Sequence, residues 1–526
     1  MDTKALRQKI LDLAIRGQLV PQDPADEPAS ALLERIRAEK QQMVKDGKLK
    51  AKDIKNDTVI FVGEDSLHYE KFTDGSVKCI EDEISFELPE GWCWARLNQI
   101  YNFIDYRGAT PTKIKDGIPL ITAKNVKSGY IDYSIDEYIS EEEYQDRQQR
   151  GISHLGDILF TTEAPLGNAA IADIEKFSAG QRLITFQNYG SSILNNRAFL
   201  CFILSDFFQE QLQTRKTGST VAGIKAAILK TLFIPVPPIK EQDRIADVCE
   251  KMITLTDQIA SNKQEIQSLV QIAKSRILDL AIRGQLVPQD PNDEPASVLL
   301  ERIRSEKEAL IKAGKLKRDK KESIIFKGDD NSYYEKMPDG RLNCLDDILP
   351  FELPNGWEWC NLSMIGTTNI GLTYRPTDID SQGTMVLRSC NIVNDQIDLN
   401  DLVRVKTTIR ENQFVQENDI LICARNGSRA LVGKCTLIRG LNEPASFGAF
   451  MAVYRTPYFE YIVHFLRSNF FRSVFDDSNS TAINQLTQDM LKRAIVPLPP
   501  FPEQQRIVEK VNTLFGGLNS IEKSLS

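Results

Sequence analysis

Residues 241–282 read EQDRIADVCEKMITLTDQIASNKQEIQSLVQIAKSRILDLAI. Ile245, Met252, Ile259, Ile266, Ala273 and Leu280 fall on one row of a seven-residue repeat, and Val248, Leu255, Asn262, Leu269 and Arg276 on the alternate row. This is a heptad seam. With no Gly or Pro in the stretch, it predicts one unbroken helix of roughly 60 Å. Asn262 takes a seam position, where a buried amide disfavours shifted pairings, and Arg276 takes another near an exposed end, where its stem can lie along apolar surface. A second seam, about half as long, is spelled by Ile507, Val511, Leu514, Leu518, Ile521 and Leu525. The missing half of its length is expected at the N-terminus, because residues 9–24 (KILDLAIRGQLVPQDP) recur with one changed letter as residues 276–291.

Working outward, the whole chain repeats at an offset of about 265 residues. After the Pro-Gln-Asp-Pro stop, a helix is predicted over 31–45, closed by Gly47 and followed by the basic exit Lys48, Lys50 and Lys52. Residues 59–90 read as short polar strands with an Asp74-Gly75 hairpin turn. They end in Phe86-Glu87-Leu88-Pro89-Glu90-Gly91-Trp92, which returns as Phe351-Glu352-Leu353-Pro354-Asn355-Gly356-Trp357. A body follows each block: strands over 118–123, 158–162, 169–172 and 183–187, then helices over 193–213 and 221–231. In the second copy the strands fall at 384–387, 420–423 and 450–454 and the helices at 460–475 and 484–493. Each body leaves through a proline-rich exit, Ile234-Pro235-Val236-Pro237-Pro238 and Val496-Pro497-Leu498-Pro499-Pro500, whose Pro237-Pro238 and Pro499-Pro500 are read as the start of a seam helix.

The expected partition is therefore 1–58 helical, 59–91 connector, 92–238 first body, 239–323 helical spacer, 324–356 connector, 357–500 second body and 501–526 closing helix. The fold class is α+β: two tandem α/β bodies separated by a long antiparallel two-helix coiled coil, in a pseudo-twofold, circularly permuted repeat.

A chain of 526 residues exceeds one comfortable core, and its formal charge of -8 argues weakly against a general nucleic-acid coat protein. Within 92–235 and again within 357–497 basic and acidic residues are equal in number, so the acidic surplus sits in the connecting regions. No apolar run is long enough for a signal peptide or membrane span, which predicts a cytoplasmic protein. Nine scattered cysteines without a CxxC pair, beside only His68, His154 and His464, predict reduced thiols and no zinc site.

Catalytic signatures are weak throughout. An adenine methyltransferase would need an (Asn/Asp)-Pro-Pro-(aromatic) turn; Leu498 precedes Pro499-Pro500-Phe501, and Val236 precedes Pro237-Pro238-Ile239. No GxxxxGK(S/T) phosphate loop occurs, and the bodies share no histidine at equivalent positions. What repeats instead is a set of basic and polar loop residues. Arg107, Lys113, Lys124, Asn125, Thr162 and Arg182 flank strands of the first body; Arg375, Arg388, Asn391, Arg425, Asn426 and Arg429 hold similar places in the second. Such side chains read base edges in the major groove. The connecting frames are near-identical while the bodies share order and few letters, which suits recognition of two unlike half-targets.

The sequence resembles the specificity subunits of type I restriction-modification systems. The residues that carry the likeness are Leu11-Asp12-Leu13-Ala14-Ile15-Arg16-Gly17-Gln18-Leu19-Val20 and its copy at 278–287, the Glu-Leu-Pro-x-Gly-Trp blocks at 87–92 and 352–357, Pro237-Pro238-Ile239-Lys240-Glu241-Gln242-Asp243-Arg244-Ile245, and Pro499-Pro500-Phe501-Pro502-Glu503-Gln504-Gln505-Arg506-Ile507. Together with the two bodies they span nearly the full chain. The resemblance implies two target recognition domains, no catalytic residue in this chain, and a bipartite, asymmetric double-stranded DNA target with a non-specific gap. It also implies two modification subunits that methylate adenine with S-adenosylmethionine and two translocase-nuclease subunits that use ATP and Mg2+. A self-sufficient methyltransferase or nuclease, and a coiled-coil scaffold for protein modules, are the alternative readings.

Overall fold

A computed structural model describes the chain apart from residues 1, 107–109, 191–193, 218–221, 315–317, 319–321, 477–484 and 526. It divides into two compact units, Met1–Lys263 and Gln264–Ser526. The long helix predicted from the seam is present as Ile239–Ile282, and the boundary between the units falls within it.

In the first unit, a four-stranded antiparallel sheet runs in the order Tyr101–Asp105, Leu183–Asn188, Ile158–Thr161, Ala169–Ile171. Ser178–Ala179 pairs in parallel with Ile118–Ile121 beside it. The second unit repeats this with Thr367–Ile370, Met451–Arg455, Ile420–Cys423 and Cys435–Leu437, and with Ala445–Phe447 parallel to Ile379–Leu387. Each body is thus α/β, with helices Asn196–Leu204 and Asp206–Arg215, or Phe459–Arg467 and Asn469–Asp476, packed on one side. The single helix expected over 193–213 is broken at Ser205. Its Oγ donates to the Phe202 carbonyl and accepts from the Phe208 N–H, ending one helix and capping the next; Ser468 does the same between Phe465 and Phe471.

Pro238 and Pro500 lead directly into the seam helices Ile239–Ile282 and Phe501–Leu525, as expected, while the residues before them are strands. Phe233–Val236 is a strand antiparallel to Cys93–Arg96, and Ile495–Leu498 is one antiparallel to Glu358–Asn361. A two-stranded ladder is all edge, so Pro235 and Pro497 need donate no N–H to a further neighbour. These ribbons close each body where it begins.

The repeated letters between the bodies build one joint twice. In the first unit the Trp92 Nε1–H donates to Glu241 at 3.0 Å, Gln22 donates to the other Glu241 oxygen at 3.1 Å and to the Gly17 carbonyl at 2.5 Å, and Arg244 pairs with Asp26 at 2.6 Å. In the second, Trp357 donates to Glu503 at 3.0 Å, Gln289 reaches Glu503 at 3.2 Å and the Gly284 carbonyl at 2.6 Å, and Arg506 pairs with Asp293 at 2.6 Å. Gly17 and Gly284 have φ of 65° and 67°, and a Cβ on either would stand 2.5 Å from the ring of Pro89 or Pro354. Arg16 and Arg283 each lie 4.7 Å over the ring of Phe86 or Phe351. Burial pushes the Glu241 and Glu503 carboxyls above their ordinary range.

The two ends of the long helix have different partners, each within its own unit. Arg7 of the N-terminal helix Thr3–Ile15 pairs with Asp257 at 3.1 Å, whereas Gln271 and Lys274 meet Glu522 of the closing helix Phe501–Leu525 at 2.6 and 2.7 Å. Gln22 against Glu241 and Gln289 against Glu503 lie at the opposite ends of these pairs, so both run antiparallel. The covered face is not the predicted seam but the row beside it. Along the seam Ile245 is buried while Met252, Leu255, Ile259, Ile266 and Leu269 are exposed; the buried stripe runs through Ala246, Cys249, Thr256, Val270, Leu278 and Ala281. Asn262 is exposed too, which corrects its reading as a buried register lock: its row lies outside the buried stripe and leaves its amide in water.

His464, on Phe459–Arg467, is 4% exposed beside Phe515 of the closing helix. Burial and the Arg467 charge push its imidazole down to about 3. Its folded value lies below the unfolded value of about 6.5, so the unfolded chain takes up the proton first. Its contribution is complete above about pH 6.5 and is lost as pH falls from there toward 3. Urea unfolding should show the chain losing about 2 kcal/mol more than His464→Leu between pH 7 and pH 5.

Candidate nucleic-acid interface

Strand ends in each body place the polar loops together. In the second body the Gly448 N–H bonds the Leu387 carbonyl, and the Ala424 and Arg425 N–H groups both bond the Phe450 carbonyl at 2.9 and 3.0 Å. The loops starting at residues 388, 424 and 448 therefore form one knitted patch. Arg425 lies exposed with its guanidinium 5.4 Å over the Phe450 ring, and that ring is 60% exposed. Arg388 pairs with Asp401 at 2.9 Å, Asn426 donates to Ser389 at 3.3 Å, and Arg429 sits exposed at the head of a short 3-10 turn. Arg375 is exposed on the loop before Ile379–Leu387.

The first body uses the same scaffold. The Gly180 N–H bonds the Ile121 carbonyl, and the Thr162 N–H bonds the Arg182 carbonyl at 3.0 Å. Lys124 is exposed; Arg182 pairs with Glu163 at 3.1 Å and Lys113 with Glu137 at 2.7 Å. Arg107 lies outside the described residues.

Three of the sequence candidates turn out to brace loops. Asn125 is 1% exposed: its Oδ1 accepts from the Thr122 N–H and hydroxyl, and its Nδ2 donates to the carbonyls of Asp132 and Ile135. Asn391, also 1% exposed, accepts from the Arg388 N–H and donates to the carbonyls of Asp398 and Asp401. Thr162 is 2% exposed, its hydroxyl donating to the Arg182 carbonyl. All their hydrogen-bonding capacity of note is spent inside the protein, so their place is to hold neighbours in position. A sequence reading sees an Asn after a strand and cannot tell a presented amide from a buried brace.

Two residues escaped that reading. Gly180-Gln181-Arg182 and Gly448-Ala449-Phe450 both lead into the strand that pairs on either side at the centre of the sheet, so Phe450 occupies in one body the place Arg182 occupies in the other. Gln181 accepts from the Thr110 hydroxyl at 2.9 Å within the same loop set. The shared Gly three residues before a strand is the signal that would have aligned them.

Two α/β bodies on identical joints, each presenting preorganised polar loops with different side chains at the same stations, define a two-headed recognition protein. Among the described residues no group of three His, Cys, Asp or Glu is arranged to hold a metal ion, and no helix is long and apolar enough to cross a membrane. The description "Type I restriction modification DNA specificity domain" matches residues 89–269 and 354–526. The type I restriction enzyme EcoAI specificity subunit of Escherichia coli is 30% identical over 99% of this chain and 90% of its own length, and the EcoEI specificity subunit of the same species is 27% identical over the same shares. A chain from a structure titled for complex assembly and conformational transition of the type I R-M system superposes with a TM-score of 0.51 at 16% identity, covering 84% of this chain and 94% of that one. The chain belongs to the family of type I restriction-modification specificity subunits, the DNA-binding, non-catalytic components that position the methylation and restriction subunits.

Proposed function

We propose that residues 92–238 and 357–500 each read one half of a bipartite, asymmetric double-stranded DNA target, the two halves separated by a fixed non-specific gap. Lys113, Lys124 and Arg182, with Arg107, serve the first half; Arg375, Arg388, Arg425, Asn426 and Arg429, with Phe450, serve the second. Asn125, Thr162 and Asn391 position these readers. The observation that carries the reading is the pairing of identical joints with unlike residues at matched stations, above all Arg182 against Phe450. Arginine reads guanine bidentately, whereas an aromatic ring makes apolar contact with a thymine methyl, so the two stations favour different letters. In this reading the chain recruits two modification subunits, which bring S-adenosylmethionine and methylate adenine N6. Two restriction subunits using ATP and Mg2+ complete a cytoplasmic complex.

Co-expression with the modification subunits, followed by genome-wide mapping of N6-methyladenine, tests this directly. One bipartite motif is expected. Arg425→Ala should relax a letter in one half-site only, by about 1–3 kcal/mol, and leave the other half unchanged. A single undivided motif, or methylation by the purified chain alone, would sink the assignment. Uniform weakening over all sequences would make Arg425 a phosphate contact.

A further inference from the structure

Residues 1–88 and 270–353 lie outside the matched specificity domain, yet within them the chain builds the same substructure twice. The strands Val59–Val62, His68–Lys71 and Val77–Cys79 form an antiparallel meander beside helix Ala29–Lys45; Ile324–Lys327, Tyr333–Lys336 and Leu342–Cys344 do so beside Ala296–Lys312.

Between helix and meander each unit has a groove. In the first it holds about 300 Å³, with Ile54, Val59 and Phe72 in its walls and Arg37 and Lys71 at its rim. In the second it holds about 350 Å³, with Ile311, Ile324 and Met337 in the walls and Arg304 and Lys336 at the rim. The floor charges neutralise each other: Lys40 pairs with Asp57 and Lys307 with Glu322, both at 2.5 Å, while Glu308 is held by Arg318. The four rim cations make no ion pair among the described residues.

The outer face of each meander continues the groove. An antiparallel sheet packed on one side ordinarily turns polar side chains to water. Here Phe61 stacks on Tyr69 at 5.8 Å and Phe326 lies 6.0 Å from Tyr334, with Val77 51% and Leu342 56% exposed beside them. The pairs Phe61 and Phe326, Tyr69 and Tyr334, Lys71 and Lys336 and Cys79 and Cys344 are identical letters at an offset of 265, although the recognition loops have diverged. Two like surfaces call for one kind of guest, present twice. Apolar walls and a floor containing the Asp57 or Glu322 carboxylate suit a protein segment better than a phosphate backbone; the rim cations ask it for carboxylates.

Each unit has one groove and one recognition body, so the guest is needed once per half-target. Resting on the reading of this chain as a specificity subunit, that requirement selects the subunit that methylates one adenine per half. We propose that each groove seats an acidic, apolar-anchored segment of one modification subunit.

The test compares full-length chains carrying Arg37→Glu with Lys71→Glu, Arg304→Glu with Lys336→Glu, or all four, mixed with purified modification subunit without DNA. Mass photometry should show each double variant holding one modification subunit fewer, and the quadruple variant binding about tenfold or more weakly. Thermal midpoints should stay unchanged, since the four side chains are exposed or half-buried. A photocrosslinker replacing Phe72 or Met337 should label an acidic segment of the modification subunit. Unaltered binding by the quadruple variant, or labelling confined to DNA or to the restriction subunit when the crosslinking is repeated in the complete DNA-bound complex, overturns the proposal. The methylated motif is read separately: loss of assembly with unchanged letters concerns the groove, and changed letters concern the recognition loops.

Discussion

Trp92→Ala is expected to cost the first unit about 3–5 kcal/mol, and Trp357→Ala the second unit as much. Each indole is nearly buried, 6% and 3% exposed, and each is the hydrogen-bond donor that justifies an inward-facing glutamate. Truncation leaves a cavity and strips Glu241 or Glu503 of one partner in a place where burial already disfavours its charge. Glu241→Gln serves as the control: its amide oxygen still accepts from Trp92 and carries no charge to desolvate, but its NH2 takes the place of the oxygen that accepted from Gln22, so with no cavity formed it should cost about 1–2 kcal/mol. Hydrogen exchange should locate the damage, with amides of residues 17–26 and 239–249 losing protection in Trp92→Ala and those of 284–293 and 501–511 in Trp357→Ala. Equal loosening across both units would show that the two joints are not independent.

Inserting four residues beside Asn262 is expected to lengthen the gap between the methylated half-sites without changing their letters. Four residues add about one helical turn, some 6 Å along a helix rising 1.5 Å per residue, against about 3.4 Å per base pair of DNA. The gap should grow by one or two base pairs. Asn262 and its neighbours are exposed, so the insertion disturbs little packing, and the extra turn nearly preserves the face presented on either side. Methylated-site mapping reads the result. A gap of the old length would defeat the idea that residues 239–282 set the spacing.

The frame of this molecule was legible because it is written twice. The copied Gly-Gln-Leu-Val-Pro-Gln-Asp-Pro and Glu-Leu-Pro-x-Gly-Trp letters mark where each helix stops and each body begins, and the structure shows why they cannot drift independently. Gly17 must present its carbonyl to Gln22 at a positive φ against Pro89, and Gln22 must meet the same Glu241 that Trp92 satisfies. The heptad letters likewise predicted one helix. They did not say which faces would be covered, because burial depends on where a second helix lies, and that is set by the joints at either end.

The proposed readers were legible only in part. Charge and position after a strand brought out Arg425 and Arg388, yet the same rule selected Asn125 and Asn391, whose amides point into their own loops. Phe450 was missed because an aromatic next to a strand reads as core until its ring is seen 60% exposed beneath a guanidinium. Sequence alone determined the permuted repeat, the unbroken helix and the family, since periodicity and copied motifs are properties of the chain taken in order. Tertiary structure decided which polar side chains face water, because loops far apart in sequence bond to one another and only their mutual packing settles whether an amide is presented or consumed.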